Sequence, residues 1–301
     1  MSILKLIPSC KDYLWGGGKL RTDFNVQSNL NPLAEAWVLS CHPSGPSYLE
    51  DGRTLQQYID KHPGCLGTNC AGFKQFPVLI KLIDAKDNLS IQVHPSDEYA
   101  FANEGEYGKT EMWYVLDCEP GAYLYYGFDH EISREEMASR IQSNTLTEVL
   151  NAVPVNKGDC FFIPAGTIHA ICKGIVIAEV QQNSNITYRV YDYGRVGADG
   201  KPRELHIEKA LDVTRRTPPE ANDFGGHLAR CEYFTVDVVE DGFSGTVDEK
   251  SFVSLLIVDG QGILTCNDKE ISVFKGDSLF LPAGSGKFRL DGKCRTLMTA
   301  I

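Results

Sequence analysis

Apolar residues gather along this chain in short runs bounded by Gly, Pro, Asn and Asp: PVLIKLIDA (77–85), EMWYVLD (111–117), CFFIP (160–164), GIVIAEV (174–180) and SLFLP (278–282). Many short strands at modest spacing predict a mainly β chain folded as a sandwich or barrel. Helices are fewer and are marked by their start signals. In EISREEMASRI, Ser133 and Glu136 have the spacing of a capping box, and Ile132 and Met137 that of a hydrophobic staple. A second helix is predicted to begin at Thr54 in TLQQYID, and a third to cover HIEKALDV, 206–213. The polar stretch TRRTPPEAND, 214–223, carries Pro218–Pro219 and reads as a domain boundary. The expected organisation is therefore 1–213 with helical insertions, a linker at 214–223, and a smaller β-domain at 224–301.

One phrase occurs on both sides of that boundary: KGDCFFIPAGTIH at 157–169 returns as KGDSLFLPAGSGK at 275–287. Its meaning is geometric. Gly158-Asp159 turns the chain into a strand, and Pro164-Ala165-Gly166 ends the strand and re-aims the residues beyond it. A polar side chain just after that turn is expected to point back into the sandwich. The first copy supplies His169 there and the second Lys287.

Alternation also places candidate chemistry. In LSIQVHPSDEY, Gln92 and His94 leave one face of an extended strand while Ile91 and Val93 face the other way. GKTEMWYVLD puts Glu111 at the head of a strand, with Trp113 and Val115 on its face. His94, Glu111 and His169 on neighbouring inward faces would give three ligands of the types zinc accepts in a catalytic site. An amide is an unusual zinc ligand, so chemistry alone supports Gln92 less. In NITYRVYDYGR, Thr187, Arg189 and Tyr191 share a face if alternation holds, which would let Arg189 bind an anion; a surface Arg paired with Asp192 or Glu179 is the simpler alternative. His42, His62, His130, His206 and His227 lack such company and read as surface or capping residues.

Composition narrows the partners. With 301 residues and 43% hydrophobic content the chain can bury a full core. A formal charge of −11 leaves no basic stripe for a phosphate backbone, which argues against nucleic acid. No stretch approaches the ~20 apolar residues of a membrane span, and the MSILKLIPSC start lacks a signal-peptide run, so a cytoplasmic protein is expected. The cysteines show no CxxC knuckle or pairing rhythm and are expected to be buried free thiols.

QVHP, GKTEMWY, IPAGTIHA and QQNSNITYRVYDYGR, in this order, closely resemble the short bacterial form of the type I mannose-6-phosphate isomerases of the cupin superfamily. WGGGKL (15–20), EAWVLSCHPSG (35–45) and REL (203–205) extend the resemblance over essentially the whole chain. It implies a cupin jelly-roll β-sandwich with a few helices, followed by a smaller cupin-like β-domain without metal. It implies a zinc-dependent isomerase, one Zn2+ per chain, that interconverts mannose 6-phosphate and fructose 6-phosphate through an enediol. By motif it assigns Gln92, His94, Glu111 and His169 to the metal, Arg189 and Lys109 to catalysis, and Lys81 and Ser90 to the substrate pocket and its phosphate. The base stays open among Lys109, Glu111, His169 and a zinc-bound water. The expected partner is a small sugar phosphate, with the chain a monomer or homodimer. Another metal-dependent cupin enzyme and a non-catalytic sugar-binding cupin are the alternatives.

Overall fold

The computed structural model describes residues 3–196 and 200–301. The apolar runs become the strands Val78–Ala85, Glu111–Cys118, Cys160–Ile163, Ile175–Gln182 and Ser278–Leu281. Their β-branched and aromatic side chains suit a pleated, buried surface. The three expected helices form as Leu55–Lys61, Arg134–Ser143 and Ile207–Val213.

The caps work as their spacing predicts, with one difference. The Thr54 hydroxyl accepts from Gln57 N–H while the Gln57 side chain accepts from Thr54 N–H, a complete capping box. Ser133 likewise accepts from Glu136 N–H, but the Glu136 carboxylate is bonded to Arg140 at 2.8 Å, so the second half of that box is replaced by an i,i+4 ion pair. Ile132 and Met137 are both buried in one apolar cluster, as a staple requires.

The chain forms two compact units: residues 1–12, 18–82 and 223–301 make one, and residues 13–17 and 83–222 the other. This differs from the linear division into 1–213, 214–223 and 224–301. The reason is strand pairing at the N-terminus. Leu4–Ile7 pairs antiparallel with Ser278–Leu281, and Tyr48–Leu49 pairs with Leu4–Ile7, so both extend the sheet of the C-terminal segment to ten strands. Further on, Thr68 and Asn69 donate to the Glu249 and Lys250 carbonyls. The 214–222 stretch does not hang between domains either. Arg215 N–H donates to the Gly166 carbonyl, the Arg216 carbonyl accepts from Ile132 N–H, and Pro219 occupies the space a side chain at Gly127 would fill.

In the 83–222 unit, Glu111–Cys118 lies between Cys160–Ile163 and Ile175–Gln182 in one antiparallel sheet. A second sheet runs in the order Tyr188–Tyr191, Ile91–Val93, His169–Ile171, Tyr123–Phe128 and Leu150–Pro154. One face of this second sheet buries Ile91, Val93, Ala170 and Val190 against the 134–143 and 207–213 helices, through Met137, Ile141, Ala210 and Leu211. The other face looks toward Trp113 of the first sheet, whose indole meets the His169 ring edge-on at 5.2 Å. That inter-sheet space holds the site.

Two expectations are corrected. Of the surface and capping roles expected for His42 the surface one falls: the residue is buried, and its Nδ1 accepts from Ser44 N–H. All ten cysteines are free thiols, but Cys10, Cys118, Cys160 and Cys231 are only partly buried. No helix among the described residues is long and apolar enough to cross a membrane.

Candidate active site

Register builds the site. Arg189, Gln92, His169 and Tyr126 stand opposite one another on four consecutive antiparallel strands, so their side chains form one row. His94 continues the Gln92 face one step beyond the strand end and is 1% exposed. Glu111, paired with Ile163 and Gln181 in the facing sheet, is fully buried.

His94, Glu111 and His169 each offer a donor atom within 4.8 Å of one another, a group that can hold a metal ion. Glu111 Oε1 lies 3.3 Å from His169 Nε2, and Glu111 Oε2 3.6 Å from His94 Nε2. Both imidazoles are aimed by their second nitrogen. His94 Nδ1 bonds the Ile186 carbonyl at 2.8 Å, and His169 Nδ1 the Thr167 carbonyl at 2.9 Å. A carbonyl only accepts, so each Nδ1 carries the proton and each Nε2 presents its lone pair to Glu111, as metal-binding histidines require. Burial pushes the His169 pKa down to about 4, which keeps that ring neutral and able to donate the pair.

Lys109 and Gln92 complete this cluster. The Lys109 ammonium lies 2.9 Å from Glu111 Oε2 and 3.1 Å from His94 Nε2, balancing a carboxylate that burial would otherwise penalise heavily. The Gln92 amide lies 3.4 Å from His169 Nε2 by its nitrogen, while its oxygen accepts from Ser90 Oγ at 3.2 Å. A half-turn of the amide exchanges these two atoms and points the oxygen at the other donors. Neutral imidazoles, a buried carboxylate and an amide oxygen within reach are a donor set that fits a divalent cation.

Arg189 is half-buried. Its Nε donates to Ser90 Oγ at 3.3 Å and its Nη1 to the Glu204 carbonyl at 3.0 Å. Its simpler alternative partner, Asp192, is taken by Arg195 and Arg203. The expected face shared by Arg189 and Tyr191 is broken by a register shift between them, and Tyr191 packs against the apolar cluster instead. Lys81 is buried in the other compact unit, its ammonium 5.3 Å from the centre of a Trp37 ring. The structure thus brings Ser90, Gln92, His94, Lys109, Glu111, His169 and Arg189 into one cluster.

Residues 3–117 match the catalytic domain of type I phosphomannose isomerases, and residues 226–301 the cupin domain of mannose-6-phosphate isomerases. The mannose-6-phosphate isomerase ManA of Bacillus subtilis is 36% identical over 308 residues, covering 97% of this chain and 96% of that protein. The chain belongs to the type I mannose-6-phosphate isomerase family. The mannose-6-phosphate isomerase of Streptococcus mutans is 37% identical, over 93% of this chain and 92% of its own length. A crystal structure of a Bacillus subtilis mannose 6-phosphate isomerase superposes with a TM-score of 0.92 at 35% identity, covering the whole of both chains. These matches establish the cupin character of the isomerase fold that the motifs implied.

The motifs alone do not reveal the neighbours that organise this cluster. Trp113 packs edge-on to His169 and donates to Glu179 Oε1 at 3.0 Å. His206 Nδ1 accepts from Arg189 N–H while the Arg189 carbonyl accepts from His206 N–H, so a histidine read as a surface or capping residue makes no side-chain cap bond and instead fixes the arginine's backbone. Its place at the start of the 207–213 helix was legible, but its partner was not.

Proposed function

We propose that this chain is a zinc-dependent aldose–ketose isomerase that interconverts mannose 6-phosphate and fructose 6-phosphate, with one zinc ion per chain. The observation that carries the reading is the buried His94–Glu111–His169 group, with both Nε2 atoms turned toward the carboxylate, in a chain of this family. Gln92, through its amide oxygen, is the fourth residue that would hold the ion. A zinc ion held by these four residues would supply a Lewis acid, which would favour the charged enediolate over the neutral sugar.

The remaining work falls to the side chains. Isomerisation takes a proton from C2 of the aldose and returns one to C1, while hydroxyl and carbonyl exchange places, so no electron acceptor is needed. Negative charge grows on the C1 and C2 oxygens between these events. Arg189, held by Ser90 and the Glu204 carbonyl, stabilises that charge from one end of the Arg189–Gln92–His169 row. Lys109 holds a proton at Nζ beside Glu111 and can exchange it with the substrate. Ser90 bridges Gln92 and Arg189 and keeps both aimed at the same space.

A coupled assay of mannose 6-phosphate conversion, run as purified, after chelation and after zinc is restored, tests the reading. Activity should vanish with the chelator and return with zinc. Arg189→Ala should retain zinc and lose about 10²-fold in kcat, the scale of one preorganised donor to a developing oxyanion. Zinc-loaded wild-type protein without turnover would overturn the proposal.

A further inference from the structure

Lys109 reaches the site from a loop. It follows the helix Asp97–Asn103 and precedes the strand Glu111–Cys118, with no ladder of its own to fix it. Yet three consecutive backbone N–H groups around it are each held. Gly108 N–H donates to Asp97 Oδ1 at 2.7 Å, Lys109 N–H to the Pro95 carbonyl at 3.0 Å, and Thr110 N–H to Gln182 Oε1 at 2.7 Å. The two side chains are joined in turn, Gln182 Nε2 donating to Asp97 Oδ1 at 2.8 Å. Gln182 N–H also donates to the Thr110 carbonyl at 3.0 Å. Gly108 is pressed so close to the helix start that a Cβ there would lie 2.4 Å from the Ser96 carbonyl carbon.

We propose that Asp97 and Gln182 are positioning residues for Lys109: a carboxylate–amide pair that grips the backbone on both sides of the lysine and sets its ammonium between His94 and Glu111. Gln182 uses both ends of its amide, one on Asp97 and one on Thr110, so the grip is a single connected unit. The effect of both residues on the isomerase reaction proposed above runs through Lys109, and displacement of a reacting group by about 1 Å is enough to cost on the order of 10² in rate.

Gln182→Met keeps the length of the side chain and removes donor and acceptor together. We expect kcat to fall about 10- to 100-fold with KM within about twofold and bound zinc unchanged. Adding Gln182→Met to Lys109→Ala should change kcat by less than about twofold, because the lysine is no longer there to misplace. Asp97→Asn retains an oxygen that can accept both bonds and should stay within about threefold of wild type, whereas Asp97→Ala should fall as Gln182→Met does. Full additivity in the double variant, or equal losses for Asp97→Asn and Asp97→Ala, would overturn the proposal. A readout independent of turnover is the acetylation rate of Lys109, 4% exposed in the intact protein, followed by mass spectrometry on the zinc-loaded chain. It should rise about tenfold in Asp97→Ala and Gln182→Met and not in Asp97→Asn; unchanged rates would overturn the grip itself. Wild-type protein with zinc but no turnover would strike only the isomerase reading, and the labelling would still decide this one.

Discussion

At 157–169, Gly158 N–H donates to the Val115 carbonyl, Val115 N–H to the Asp159 carbonyl, Asn156 N–H to Asp159 Oδ2, and Thr167 N–H to the Pro164 carbonyl. At 275–287 the same four bonds recur: Gly276 to Ile257, Ile257 to Asp277, Phe274 to Asp277 Oδ2, and Ser285 to Pro282. Gly158 and Gly276 even share φ 95°. The turn, the strand and the stop are therefore encoded by KGD and PAG in both places, through Gly conformation and an Asp that caps its own turn. The chemistry is not. Glu111, paired with Ile163, has Val253 as its counterpart, paired with Leu281. Trp113 and its partner Glu179 are matched by Leu255 and Met298.

The final residue of the phrase diverges for a backbone reason. His169 follows Ile168 into the sheet and is fully buried. In the second copy Gly286, with φ 84°, opens the strand Gly286–Asp291; Lys287 lies exposed and Phe288 turns into the core. The expectation that Lys287 points into its sandwich is therefore corrected. A repeated phrase fixes how the backbone is bent. Which side chain faces inward after the bend depends on the next dihedral angle, and whether a ligand set forms depends on strands elsewhere in the chain.

Exchanging residues between the copies tests this division of labour. Glu111→Val gives the first copy the residue of the second and should abolish stable zinc binding and cost at least about 10³-fold in turnover, measured by metal analysis and the coupled assay. Val253→Glu, the reverse exchange, should bring no metal. It should destabilise the protein by about 3 kcal/mol in urea unfolding, because the carboxylate is buried among Leu255, Leu281 and their neighbours without a cation. A smaller contrast separates the two turn glycines. A Cβ at Gly276 would sit 1.7 Å from the Phe24 carbonyl oxygen, whereas at Gly158 the nearest atom is the Tyr114 hydroxyl at 3.9 Å. Gly158→Ala should cost about 1 kcal/mol from the left-handed backbone alone, and Gly276→Ala about 2 kcal/mol more, since the backbone must move. Lys287→His should do least: an exposed side chain, a stability change within about 0.5 kcal/mol, and no gain in bound zinc.

Strand and cap positions were legible because their signals are local. Alternation at Gln92 and His94, the Ser133 and Thr54 caps and the Gly158 turn each act within a few residues. Local alternation also exposed His94, Glu111 and His169 as inward polar residues among apolar neighbours, and their order along the chain carried the family resemblance. The partners of those residues were less legible. Nothing near Lys109 in sequence names Gln182, and nothing near Arg189 assigns His206 Nδ1 to its backbone.

The sequence by itself determined the mainly β character, the helix starts, the repeated turn and the inward-facing donors, because a period of two and a cap are properties of a few consecutive residues. Only the tertiary structure decided that Leu4–Ile7 completes the sheet of the C-terminal segment, that Lys287 turns outward, and that Lys109 lies against Glu111. These depend on which strand edges are open to pairing and on which distant side chains pack together, and neither is written in the local pattern.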